Sequence, residues 1–434
     1  MSLADIPVPR LTTANASPLQ HIEEVVLNHV ADIEKWFREG FEKTPAPITS
    51  SVDLRNASFK LAPVDTNLFP AGFNNLNKDF IPLCVQAVQS VLLDGRSGSE
   101  CTEVLLIPES HTRNTFYLQS LSRLRDIFVK AGFVVRIGSI DETIKEPREF
   151  FLDGGEVLIV EPIEYKNGRI QLHDFEPSLV LLNNDLSAGI PEKLVGLKQQ
   201  IHPPVELGWG SRLKSSHFQY FEQVVTEFSQ LIDIDPWLIN PLFKRINDID
   251  FMAKEGIAQL ADAVEELLLA IGKKYNAMGI TERPFVVVKA DNGTYGMGVM
   301  MVHDKAEILN LNRKQRTRMS ASKSSRKVSK VIVQEGVPSF ETVASGAVAE
   351  PVVYMIGQYV VGGFYRVHQG RGKYENLNAP GMHFEPLAFA EACNVPCEAG
   401  RAVDVANRFY VYGVVARLAA LAAAREIAAN GGNK

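Results

Sequence analysis

Residues 284–302 read P-F-V-V-V-K-A-D-N-G-T-Y-G-M-G-V-M-M-V. An apolar, valine-rich run delivers Lys289. A loop with Gly293, Thr294, Gly296 and Gly298 follows, and a second apolar run closes the unit. β-Branched residues in such density favour strand. Glycines at this spacing let backbone N–H groups approach phosphate oxygens beside a fixed positive charge. The stretch therefore predicts a Gly-rich β-hairpin over a nucleotide. It is not a Walker loop, because no G-K-[ST] follows and the next element is a strand. A plain hairpin with glycine at its turn would share the pattern, so the neighbouring segments must decide.

Downstream, Val331–Glu335 (V-I-V-Q-E) is another apolar run, ending in a polar pair. Between them, Arg313–Lys330 holds eight basic and no acidic residues. That run suits a mobile lid, a phosphate-attracting loop, a solvated loop or an RNA-binding patch, although without aromatic residues it offers bases no stacking platform. Glu350 comes next, then an extended run Val352–Arg366 ending in F-Y-R-V, then E-N-L-N-A-P-G from Glu375 to Gly381. Joining a carboxylate to an amine requires activation as an acyl phosphate. Mg²⁺ on the phosphates wants hard oxygen ligands such as Glu375, Asn376 or Asn378. Arg366 suits charge on the transferred phosphoryl group or the tetrahedral intermediate. Each of these residues would also fit an ordinary surface ion pair or loop.

Upstream, Ser51–Leu76 is dense in Asp, Asn, Arg and Lys around Pro and Gly, with no helical or strand period. It reads as a polar loop carrying Phe69 and Phe73, of the kind that walls a pocket. Asp65 and Asn67 suit an α-amino group, and Arg55 or Lys60 a carboxylate; a surface loop using Asn and Asp for turns is the alternative. Pro108–Asn114 (P-E-S-H-T-R-N) follows a strand, where α/β sheets bind ligands, which makes His111 and Arg113 candidates for a substrate carboxylate.

The whole chain has 434 residues, a formal charge of −6, and 46% hydrophobic against 22% charged residues. Those proportions exclude disordered and low-complexity classes, and the length suggests two or three lobes. A net acidic chain is not one whose whole surface is tuned for nucleic acid. The start, M-S-L-A-D-I-P-V-P-R-L, shows no secretory pattern, and Val411–Ala429 carries Arg417, Arg425 and Glu426, which suits a packed helix better than a bilayer span. Cys393 and Cys397 lack a matching His or Cys pair, so no zinc site is expected, and a reduced cytoplasm is the expected setting.

Helices are predicted at Pro18–Phe41, near Leu118–Ala131, from about Glu255 to Lys273, and from about Val403 to Ala429. Short apolar runs at Val104–Ile107, Phe133–Ile137, Val157–Val160 and Leu179–Leu182 alternate with helical patterns. The expected fold class is α/β, with an N-terminal, mainly parallel α/β substrate domain over residues 1–204 and an α+β nucleotide-binding half over 205–434.

The order of Lys289, Gly-rich hairpin and acid-ended strand resembles that of ATP-grasp enzymes from Phe285 to Pro386, in motif order rather than identity. The resemblance implies an ATP-grasp-like fold in which Gln334 and Glu335 face adenine and ribose. It also implies a second nucleotide lysine upstream, for which Lys214 is the candidate, at a longer separation than expected. In glutathione synthetases and their relatives an acid, an Arg-bearing strand and an Asn loop follow; Glu350, Arg366 and Glu375–Gly381 are similar. With Ser51–Leu76, these motifs closely resemble a proteobacterial family of glutamate–cysteine ligases of similar length.

That resemblance implies γ-glutamylcysteine synthesis, the first step of glutathione formation. ATP would phosphorylate the γ-carboxylate of glutamate, and the cysteine amine would displace phosphate. It implies ATP and Mg²⁺ as cofactors, with Lys289 and Arg366 catalytic. Lys289, Gly293, Thr294, Gly296, Gly298, Gln334, Glu335 and Lys214 would contact the nucleotide. Arg55, Asp65, Asn67, Asn74, His111 and Arg113 would contact glutamate or cysteine, and Glu350, Glu375, Asn376 and Asn378 the metal. No nucleic acid or membrane partner is expected, and a homo-oligomer is an open expectation. The related synthetases place metal carboxylates on a late strand after the Asn loop, whereas here a helix follows. A ligase with other substrates, or a nucleotide-regulated RNA-binding protein, are the alternatives.

Overall fold

The four short apolar runs of the first half become strands of one six-stranded sheet. In the computed structural model, which describes residues 17–93, 102–110, 114–293, 298–320, 328–343, 345–386 and 408–430, its order is Gln200–His202, Leu179–Asn183, Glu103–Pro108, Val134–Ser139, Val157–Pro162 and Arg148–Phe151. The first five run parallel, and only the edge strand Arg148–Phe151 is antiparallel. Leu179–Asn183 is buried at every position, as a parallel strand covered on both faces must be. Helix Thr115–Lys130 packs against this sheet, and helix Ile81–Leu93 packs beside it, against the strands Val348–Ile356 and Tyr359–His368. The first of these helices starts where the Asn114 side chain accepts the Tyr117 N–H.

A second sheet carries the Gly-rich hairpin. Its order is Phe243–Ile246, Val331–Glu335, Val286–Ala290 and Met300–Val302, and all its pairings are antiparallel. Val287 lies opposite Gln334 on one side and Met301 on the other. Helix Ile257–Ala277 buries Leu260, Val264, Leu267 and Ile271, the face its periodicity predicts.

The third sheet departs from the sequence reading. Its order is His383–Pro386, Tyr359–His368, Val348–Ile356, Thr49–Asn56 and Leu61–Asn67. The stretch Ser51–Leu76 is thus mostly a strand pair rather than a polar loop. Alternation is absent because nearly every position of Thr49–Asn56 is buried. Its polar residues survive burial by pairing: Arg55 with Glu350, Asn56 with Tyr412 and Glu341. The run Val352–Arg366 is likewise two strands, which turn at Gly357 with φ 58°. This sheet takes strands from both sides of residue 205. A division there separates the parallel sheet from the hairpin sheet but runs across the sheet between them.

The helix expected over Pro18–Phe41 is two, Ser17–Asn28 and Val30–Lys43. They are offset at His29, whose φ of −110° and ψ of 17° leave the helical region and whose ring contacts the Val25 carbonyl. At the other end of the chain, helix Arg408–Ala429 is buried all round from Tyr410 to Ala424, with Val411–Ala424 between 0 and 1% exposed apart from Gly413 and Arg417. Near its end, Glu426 takes a bidentate pair from Arg212 at 3.1 and 2.7 Å, and Arg212 also donates to the Thr66 carbonyl. Among the described residues no helix is long and apolar enough to cross a membrane.

Candidate active site

Strand alternation sets the floor of a cleft beside the hairpin sheet. Val286, Val288 and Ala290 point into the core, so Val287 and Lys289 point the other way. Met301, Val287 and Gln334 form a cross-strand row on that face. The cleft is open to solvent, and its void counted out to the mouth is about 900 Å³. Gly293 lines it at φ 125°, a backbone geometry that favours glycine. Among the described residues the Gln334 side-chain Nε2 is buried without a partner, as suits a donor awaiting a ligand.

Two lysines meet one carboxylate at the far wall. Lys214, the first residue of helix Lys214–Ile232, places Nζ 2.7 and 2.9 Å from the two oxygens of Asp65 and 3.9 Å from the Trp209 ring centroid. Lys289 Nζ donates to the Val64 carbonyl at 2.7 Å. Burial pushes Lys289 down to about 8, against the opposing pull of Asp65. For Asp65, burial would raise the carboxyl, but Lys214, Lys289 and Arg212 hold it at about 2. The long separation between the lysines is bridged by Asp291, which lies just beyond Lys289. Its carboxylate accepts from the Ser215 N–H at 2.8 Å and the Ser215 hydroxyl at 2.6 Å, docking that helix onto the hairpin strand.

Arg366 stands opposite Glu350 in the strand pairing, with Nη1 2.9 Å from Asp53 and 3.6 Å from Glu350. Burial would weaken the charge, but Asp53 and Glu350 outweigh it and hold the guanidinium protonated. Its Nε is buried and unpartnered. Arg55 binds Glu350 from the other side and also donates to the carbonyls of Val337 and Glu375. Asp53, Arg55, Glu350 and Arg366 are therefore one alternating array of charge on the cleft wall.

A second cavity adjoins the first and lies at the carboxyl ends of the parallel strands. Glu109 follows Glu103–Pro108, and Asn183 and Asp185 lie at the end of Leu179–Asn183; Tyr354, Phe364 and Phe384 supply an apolar wall. Asp53, Asp65, Arg366 and Asn378 line both cavities.

Most of the residues singled out in the sequence converge here. Lys289, Lys214, Gly293, Gln334, Glu335, Arg55, Asp65, Glu350, Arg366, Asn376 and Asn378 all line the first cleft, and Asn67 lines the second. Glu335 reaches it with its carboxylate already engaged by Lys60 at 2.9 Å, by the Trp237 ring N–H and by the Leu242 N–H. Gly298 lies outside this cleft, beside Glu375 in a neighbouring pocket. The Glu375 carboxylate binds the Gly372 N–H and Arg371, and Asn376 Oδ1 accepts the Asn378 N–H, so both serve their own turn. Asn74 sits in the short turn Phe73–Asn75 and lines neither cavity. Thr294, Gly296, His111, Arg113, Cys393 and Cys397 lie outside the described residues.

The sequence reading missed Asp53, Glu109 and Asp185. Asp53 was concealed by the lack of alternation in its strand. Glu109 and Asp185 carried a usable signal, since each follows an apolar run of the parallel sheet. Among the described residues no group of three or more His, Cys, Asp or Glu is placed to hold a metal. Magnesium carried by a nucleotide keeps waters and phosphate oxygens and needs only one or two carboxylates. Asp53 and Glu350, which converge on the Arg366 Nη1, fit that requirement.

The family model described as glutamate-cysteine ligase matches residues 23–427. A crystal structure of a candidate gamma-glutamylcysteine synthetase from Methylobacillus flagellatus KT is 52% identical. It covers 98% of this chain and 100% of its own, with a TM-score of 0.90. A glutathione synthetase-like effector from Globodera pallida is 9% identical at a TM-score of 0.37, over 87% of this chain and 85% of its own. D-alanyl-alanine synthetase A from Vibrio cholerae is 10% identical at 0.34, over 72% and 80%. The last two are too distant to carry an argument. No curated protein matches the chain.

Proposed function

The chain belongs to the glutamate–cysteine ligase family, and from that premise we propose that its adjoining cavities hold ATP and amino acid on either side of Arg366. It is an ATP-dependent ligase that joins glutamate to cysteine through γ-glutamyl phosphate. The observation that carries the placement is the shared wall: Asp53, Asp65, Arg366 and Asn378 face both cavities.

In this reading the adenine rests against the row Met301, Val287 and Gln334, and the unpartnered Gln334 amide donates to it. Lys289 and Lys214 take the phosphates, aided by backbone N–H groups beside Gly293. Arg366 steadies the γ-carboxylate of glutamate in line with the terminal phosphate, and its charge offsets what builds on the tetrahedral carbon when the cysteine amine attacks. Glu109 and Asp185 line the second cavity but not the first, and suit an amino-acid ammonium group. Mg²⁺ would be held by Asp53, Glu350 and Asn378 and would neutralise phosphate oxygens. Cytoplasmic action belongs to the same proposal.

The test is phosphate release by purified protein given Mg–ATP. Release is expected only with glutamate and cysteine both present. Turnover indifferent to both amino acids overturns the reading.

A further inference from the structure

Asp65 is the acid on the shared wall that is already committed to the lysines of the nucleotide cavity. Lys214 Nζ covers both of its oxygens, at 2.7 and 2.9 Å. The Lys214 side chain is 8% exposed and that of Asp65 37%, so the carboxylate keeps an open side. Asp65 lines the second cavity as well as the first, whereas the two lysines line only the first. Lys289 stands close by, tied to the carbonyl of the preceding residue, Val64. Asp53 lies directly across the strand pair, with its charge answered by Arg366.

A polyphosphate entering the first cavity competes for these same two ammonium groups. A lysine ammonium donates in three directions on a flexible stem, so it can turn from carboxylate to phosphate at little cost. An Asp65 carboxylate left without Lys214 is an uncompensated anion, and such a group seeks the nearest cation. Of the two cavities it lines, the one without these lysines is the amino-acid cavity. We infer that Asp65 is shared in turn: Lys214 neutralises it in the nucleotide-free enzyme, and nucleotide releases it to bind the ammonium group of glutamate. The two substrates then bind cooperatively, because the same lysine cannot serve both anions. By linkage, glutamate must tighten nucleotide binding by the same factor.

This inference rests on the two-cavity reading above, and two variants test it by calorimetry with L-glutamate, with and without saturating magnesium β,γ-imido-ATP. In the wild type the nucleotide is expected to tighten glutamate binding by about fivefold or more. Asp65→Asn, checked for an unchanged melting transition, is expected to reduce that gain below about twofold. Lys214→Met should act in the opposite sense, letting glutamate bind without nucleotide about as tightly as it binds the nucleotide-loaded wild type. If Asp65→Asn does not fold, Lys214→Met decides alone. No nucleotide effect in the wild type, an equal effect in Asp65→Asn, or weaker glutamate binding by Lys214→Met each overturns the inference. Phosphate release that requires both amino acids, yet without coupled binding, sinks this inference and leaves the ligase reading standing. Release that requires neither sinks both.

Discussion

Lys289 combines a position on the cleft, a hydrogen bond and burial. It is the strand residue facing the cleft, it donates to Val64, and burial holds it at about 8. Lys289→Ala should lower kcat by at least about 10²-fold while leaving the circular dichroism spectrum intact, as expected for a lost charge on a transferring phosphoryl group. The sign of its pH dependence follows from the downward shift: the lysine loses its charge as pH rises through about 8, well before an ordinary lysine would. The value of kcat/KM for ATP should therefore fall on the alkaline side with an apparent pKa near 8. Lys60 is also pushed to about 8 by burial, so the assignment needs a variant. Lys289→Arg should remove the alkaline limb; an unchanged profile would move it to Lys60. Lys289 was legible in the sequence because an apolar run delivers it to a Gly-rich loop. Asp53, equally central, was not, because its strand is buried on both faces and its side chain announces nothing until Arg366 is seen beside it.

Elements were read most securely where one face meets solvent or one period dominates. Helix Ile257–Ala277 and the hairpin strands Val286–Ala290 and Met300–Val302 follow their patterns. The strands Thr49–Asn56 and Leu61–Asn67 escaped because paired polar side chains replace apolar ones in their interior. Between elements, two joints are tight enough to predict. Gly336 follows the strand Val331–Glu335, and a Cβ there would lie 2.2 Å from the Phe285 ring, itself 0% exposed. Gly336→Ala should cost about 1–3 kcal/mol in urea unfolding, since the ring must leave its place. Asp291 caps the start of helix Lys214–Ile232 from another strand. Asp291→Ala should cost about 1–2 kcal/mol, and it should also raise KM for ATP, because the helix it docks carries Lys214. A stability loss with KM unchanged would separate the docking from the nucleotide site.

At the scale of the whole molecule, the last helix is an interior element. Arg212, Glu426 and His217 are all nearly fully buried, and the first two form a bidentate pair. Burial would raise the Glu426 carboxyl, but Arg212 and His217 outweigh it and hold it at about 2. A lowered carboxylate stabilises the fold above its unfolded value of about 4.5 and loses that contribution as pH falls toward 2. Wild-type stability should therefore decline across that window. Glu426→Ala should be less stable at neutral pH by about 3–5 kcal/mol, because it strands the Arg212 charge. The variant should also show a shallower acid decline, measured by thermal melting against pH; an equally steep decline would place the acid sensitivity elsewhere. The sequence suggested a packed helix here but not its central place, since an all-round apolar pattern names no partner face. The sheet that crosses residue 205 has a further consequence. Val52 pairs with Thr66 on one side and Val353 on the other, so its strand finds this second neighbour only after some 300 residues more have emerged. The parallel sheet can assemble early from its own contiguous strands, while Thr49–Asn56 and Leu61–Asn67 wait beside it with an unpaired edge. The lysine-binding acid Asp65 is thus in place long before its cleft is built, and the active site and the core around it form together once the strands near Val353 have emerged.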